Sequence, residues 1–261
     1  RELLDWLAAT FRDGGWDVKG LMRLMVTSHT YRQSSKITSA EMHERDPENR
    51  LLWRAPRYRL PSWMLRDQAL MASGLLSPAV GGPAVNSYQP PGVWEEASFG
   101  NKVYRQDSGE KLYRRSLYTF WRRIIAPTMF FDNASRQTCT VNVNRTNTPL
   151  HSLQTLNNVA YVEAARTLAE FALKNASDDA ARVDMVMRRV LARQASEPER
   201  NVLVAGLART RQQYSDAREA AVKLVSQGES KRDETLDAVE HAAWTNLCLA
   251  VLNLDETLNR E

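Results

Sequence analysis

Thr148-Pro149-Leu150-His151-Ser152-Leu153 opens the stretch that decides the fold, and the same pattern runs on through Leu156, Ala160, Val162, Ala165 and Leu168 to Phe171. Threonine is a favoured N-cap, and proline suits the first helical position because the N–H it lacks would have no partner there. The apolar residues behind them recur at three- and four-residue spacing, the mark of a helix that buries one face. Toward the C-terminus, Ser177 reads as the start of a further helix, and Ser196 with Glu199 three residues on has the signature of a capping box. A last helix aligns Leu236, Val239, Ala243, Leu247, Val251 and Leu254 on one face.

Toward the N-terminus the helical pattern returns. Leu3, Leu4, Leu7, Ala8 and Phe11 stop at Gly14-Gly15, and a second helix follows through Leu21, Leu24 and Met25, which together predict a short helical hairpin. A polar stretch around Asp46-Pro47 leads to Pro61-Ser62, which opens a helix carrying Met64, Leu65, Leu70 and Met71 toward Gly74. Between Ser77 and Asn147 the character changes. Pro78, Gly81-Gly82-Pro83 and Pro90-Pro91-Gly92 interrupt helices, while Leu117-Tyr118-Thr119-Phe120-Trp121 is aromatic and strand-like. The expected fold is mainly α: a helical part over 1–76, a loop-rich segment with a few short β-strands over 77–147, and a second helical part over 148–261, in one compact domain. Long loops in such a domain carry function more often than not, so the middle segment is the expected functional region.

Composition narrows the classes. The chain has 261 residues, 43% hydrophobic and 25% charged, enough to build a core, and its formal net charge of +4 comes from 35 basic and 31 acidic residues mixed along the chain. So mild an excess does not point to nucleic acid. The most apolar run, Leu247 to Leu254, is far shorter than a membrane helix requires. The chain opens at Arg1-Glu2-Leu3-Leu4 inside an amphipathic pattern with no initiator Met, as expected of a piece of a longer polypeptide. Cys139 and Cys248 form neither a haem-attachment nor a zinc spacing, so no metal or cofactor is expected in this chain.

Two constellations could carry chemistry. Arg145-Thr146-Asn147-Thr148-Pro149-Leu150 places three small hydrogen-bonding side chains and an Arg before a helix start, with His151 just inside it. Such an arrangement can hold an anion, and His151 could move a proton; the plainer account is a helix cap braced by Arg145 and Asn147. On that account Thr148→Ala would cost on the order of 1 kcal/mol. The second constellation is Tyr113-Arg114-Arg115 followed by Tyr118, Phe120, Trp121, Arg122 and Arg123. Rings stack on sugars and guanidinium forks grip carboxylate, sulfate or phosphate, although the same mixture also builds a strand with Arg stems lying over buried rings. Glu95-Glu96 and Asp132 are the loop carboxylates an acid–base mechanism would draw on, but isolated acids in loops are usually only solvated.

Several blocks, read in order, carry a family resemblance. They include Met25-Val26-Thr27-Ser28-His29-Thr30-Tyr31-Arg32-Gln33-Ser34-Ser35, Asp46-Pro47-Glu48-Asn49-Arg50-Leu51-Leu52-Trp53-Arg54, Arg66-Asp67 and Gly81-Gly82-Pro83. Others are Tyr88-Gln89-Pro90-Pro91-Gly92-Val93-Trp94, Arg114-Arg115-Ser116-Leu117-Tyr118-Thr119-Phe120-Trp121-Arg122-Arg123, Phe131-Asp132, Cys139 and Arg145 to Leu150. The chain resembles the planctomycete-specific C-terminal domain of unknown function, of the PSD-one type. The resemblance implies a C-terminal position in a large exported protein, periplasmic or at the cell surface, commonly behind a haem-binding cytochrome c-like segment, and it implies no established activity. One departure is His151-Ser152, where the family commonly has Gln-Ala, so a role for His151 would belong to this protein alone.

The expected function is a non-catalytic binding or scaffolding domain whose partner is an anionic polysaccharide or another envelope protein. The expected contact residues are Arg115, Trp121, Arg122, Arg123, Arg145, Asn147 and His151, none of them catalytic. The alternative is a polysaccharide-acting enzyme using the loop carboxylates and His151.

Overall fold

The computed structural model describes residues 1–122, 125–133, 139–140 and 148–260. It is mainly helical and divides into two compact units, residues 1–58 with 259–261 and residues 59–258. The only ladder among the described residues is two-stranded, Tyr58–Arg59 with Asn259–Arg260.

The first unit begins with the expected hairpin, α1 (Glu2–Asp13) and α2 (Val18–Thr27), turned at Gly14. Asp17 caps α2 by accepting from the Gly20 N–H, and the Phe11 and Trp16 rings meet edge to face at 5.2 Å. Neither helix buries a residue. Two short helices follow, α3 (His29–Arg32) and α4 (Ala40–Arg45). Beyond them the buried Asp46 carboxylate accepts from the N–H groups of Arg50 and Leu51, and Asn49 exchanges two hydrogen bonds with Arg54. The Asp46–Arg54 block is therefore a self-bonded turn.

The second unit holds the core. Helix α5 (Ser62–Ser73) follows Pro61 and stops at Gly74, and α6 (Val93–Ala97) is a single short turn of the loop-rich segment. Six longer helices complete the unit: α7 (Pro149–Asn157), α8 (Val159–Asn175), α9 (Asp179–Leu191), α10 (Glu197–Asp216), α11 (Arg218–Val225) and α12 (Ala238–Leu252), with the short α13 (Asp255–Leu258) after them. The main cluster of buried side chains draws on α5, α8, α9, α10 and α12. Helix α12 is its axis. The sequence assigns it one apolar face, yet His241, Trp244, Thr245 and Cys248 are buried beside Leu247 and Val251, so it is enclosed over most of its surface with Val239, Asn246 and Ala250 left along the open strip, the polar His241 and Thr245 hydrogen-bonding to backbone carbonyls.

The capping signals are mostly obeyed. Ser196 and Glu199 form the expected reciprocal box on α10. On α9 the cap is Asp178, accepting from the Ala181 N–H, one residue beyond the expected Ser177. Thr148 occupies the N-cap position of α7 with Pro149 behind it, but its side chain makes no capping bond. Both thiols are unpaired: Cys139 is exposed and Cys248 buried. None of the described helices is long and apolar enough to cross a membrane.

The strand-like run is resolved differently from its composition. Gly109–Tyr113 and Ser116–Tyr118 form tight 3-10 turns, and among the described residues extended pairing in the segment is limited to single bridges, Ser77 with Arg114, Val85 with Thr119 and Arg122 with Ile125.

Candidate functional site

Most of the arginine and aromatic residues singled out in the sequence fall into two separate groups. The first is a knot beneath α5. Arg66, only 2% exposed, donates to the carbonyls of Arg114 (2.9 Å) and Leu112 (2.7 Å) and to the Ser116 hydroxyl (3.1 Å). Its neighbour Asp67 accepts from the Ser116 N–H (2.8 Å) and hydroxyl (2.7 Å), which fixes the turn that the strand-like run adopts. Arg114 in turn donates to the carbonyls of Pro83 (3.0 Å), Ala79 and Gly81, and lies 3.8 Å over the Tyr118 ring. The Tyr118 oxygen accepts from the Gly81 N–H at 2.8 Å. Burial pushes the Arg66 pKa down, with Asp67 opposing the shift. Arg115 belongs here too, its guanidinium 5.7 Å from the Tyr118 ring.

A second buried network lies under the same segment. Glu163 on α8, 1% exposed, accepts from the hydroxyls of Tyr88 and Tyr113 (2.8 Å each) and from the N–H and hydroxyl of Ser230 (2.7 Å each). Burial, with Glu163 alongside, pushes the Tyr113 phenol up to about 12. Gly228 is required for this arrangement: its φ is +89°, and an added Cβ would lie 2.3 Å from the Glu163 side chain. Asp132, a candidate carboxylate, accepts from the N–H and hydroxyl of Ser62, seventy residues away, and so supplies the cap that Pro61 cannot give α5. His151 is nearly buried with its ring stacked on Phe131 at 4.5 Å, and Trp121 is stacked on Phe130 at 5.8 Å. Arg123, Arg145 and Asn147 lie outside the described residues.

The remaining candidate, Arg122, sits elsewhere. Three extended pieces run side by side: Val85 exchanges backbone hydrogen bonds with Tyr118 and Phe120, and Asn86 bonds on its other side to Asp107 and the Arg105 carbonyl. On this frame the Trp94 ring lies 5.1 Å from Tyr104 and 5.9 Å from Phe120, centroid to centroid. The Arg122 guanidinium is 5.5 Å over Trp94, and its buried Nη1 has no hydrogen-bond partner among the described residues. Gly92, at φ +85°, turns the chain into α6 and so places Trp94. The Tyr104 hydroxyl donates to the Ser87 carbonyl, which fixes that ring. The rings, with Asn86, Val103 and Arg105, line an open depression of about 340 Å³. Phe120 is 43% exposed, and the Arg105 side chain is exposed.

The candidate site is therefore an aromatic shelf with two arginines, of which sequence reasoning named only Arg122 as a contact. Trp94, Tyr104 and Arg105 were missed, since they converge only through hydrogen bonds between segments distant in sequence.

A mainly helical domain whose loop-rich segment presents this shelf is the class that the geometry defines. Residues 1–207 match the model of PSD1, a protein family of unknown function (DUF1553), and the chain belongs to that family. No curated protein and no solved structure matches the chain.

Proposed function

We propose that this chain is a non-catalytic binding domain of a large exported, planctomycete-type protein, and that it holds an anionic polysaccharide on the Trp94–Tyr104–Phe120 shelf. The observation that carries the reading is the pairing of ring faces with arginines whose side chains donate no hydrogen bond to another described residue: Arg105 is exposed at the depression, and Arg122 lies over the Trp94 ring that lines it. Rings pack against the C–H faces of sugars, while guanidinium forks take carboxylate or sulfate. The enzyme reading draws less support, because Asp132 is engaged with Ser62 and His151 is stacked under Phe131.

The test is retention of the protein on sulfated and uronic-acid polymers. Binding at low salt should fade toward 1 M, where the Debye length is about 3 Å. Arg105→Ala with Arg122→Ala, and separately Phe120→Ala, should weaken it about tenfold, equivalent to about 1.4 kcal/mol, with little change in thermal midpoint. A parent protein that retains no acidic polymer at low salt would overturn the proposal and leave a protein scaffold as the better account.

A further inference from the structure

A second depression adjoins the shelf and has a different chemistry. It is an open groove of about 520 Å³, walled by Pro90, Pro91, Leu153 and Val159 and floored by amides. None of the described residues that line it is charged. Gln89 is engaged at both ends, donating to the Ala126 carbonyl and accepting from the Thr128 N–H. The amides of Gln106 and Gln154, in contrast, make no hydrogen bond to another described residue, and the Thr128 hydroxyl is buried without a partner. An amide offers a donor and an acceptor side by side, which suits neighbouring hydroxyls of an uncharged ligand and gives an ion no countercharge.

The groove and the shelf are joined through the chain. Arg105 lines the shelf and Gln106 the groove, so one loop segment contributes to both. Pro91 lines the groove and Trp94 the shelf, with Gly92 turning between them. We infer that the groove is a second subsite of the same binding surface, taking a neutral sugar unit next to the charged unit held on the shelf. The ligand class that follows is a polysaccharide in which acidic and neutral units are interleaved. This rests on the proposed function.

Three polymers separate the possibilities: a copolymer alternating uronic acid with an N-acetylhexosamine, a homopolymer of uronic acid, and a neutral glucan. The copolymer should bind the parent protein most tightly. Gln106→Ala combined with Gln154→Ala should weaken copolymer binding about tenfold and leave the homopolyuronate unchanged, whereas Arg105→Ala should weaken both. If the amide variants lower both acidic polymers equally, or neither, the subsite is refuted while the shelf stands. If the parent binds no acidic polymer, the shelf fails and the subsite with it. Gln106 is exposed and Gln154 half-buried, so loss of fold is not expected, and an unchanged thermal midpoint checks this.

Discussion

Arg114 of the knot and the two arginines of the shelf come from the same stretch of chain, and the arginines of the two groups have opposite relations to their surroundings. Arg66 and Arg114 direct their N–H groups at backbone carbonyls of two loop segments, 79–83 and 112–114, and are nearly buried. Arg105 lines an open depression and Arg122 lies over its Trp94 ring, and neither side chain donates a hydrogen bond to another described residue. A guanidinium among aromatic residues is thus a structural device in one place and a recognition device a few residues away. The discriminating feature is whether its donors are already engaged.

The largest expected effect tests the knot. Arg66→Ala would leave the Leu112 and Arg114 carbonyls without their donor and Asp67 without its counter-charge, and removing one member of such a buried charged network costs on the order of 3–5 kcal/mol. Arg122→Ala should stay within about 0.5 kcal/mol of the parent, as substitutions away from packed networks do. Urea titration of both variants makes the comparison, and similar midpoints would break it. The Glu163 network predicts a smaller loss. Glu163→Gln places an amide donor against groups that already donate to it, at about 2–3 kcal/mol. Gly228→Ala should also destabilise, because its Cβ would collide with the same side chain at a positive φ. A Gly228→Ala variant as stable as the parent would mean that the 228–230 turn is not held against Glu163.

How much of this was legible in the sequence follows the same division between local and distant. Helices whose signals lie within a few residues were readable: the Gly14 stop, the Pro61–Gly74 helix and the Ser196–Glu199 box all reside in adjacent side chains and backbone. The Leu117–Trp121 run was half legible: Thr119 and Phe120 pair with Val85 as strand-favouring residues should, while Asp67, some fifty residues away, ties Ser116 into the tight turn that takes in Leu117 and Tyr118. The enclosure of α12 was hidden for a related reason, since partners for His241 and Thr245 make polar residues tolerable at positions that periodicity assigns to solvent. Family membership was legible because long ordered blocks carry it. The shelf was not, because Trp94, Tyr104 and Phe120 meet only after three loop segments have paired.

The smallest expected effect concerns the helix caps, where residue type and engagement again come apart. Thr148 and Asp237 both stand at N-cap positions, before α7 and α12. Asp237 accepts from the N–H groups of Val239 (2.9 Å) and Glu240 (3.0 Å), so two of the four unpaired donors of α12 are met by one side chain. Thr148 has the favoured residue type and the extended backbone of a cap, yet its hydroxyl bonds to no N–H of α7. Asp237→Ala should therefore cost about 1–2 kcal/mol, the ordinary range for a working cap. Thr148→Ala should cost only a few tenths, below the loss that the residue type alone would suggest, because no capping bond disappears and Pro149 still sets the first turn. Chemical denaturation of the two variants side by side decides it. Equal losses would show that the Thr148 hydroxyl does cap α7 in solution, and would remove this member of the contrast while leaving the arginine pair untouched.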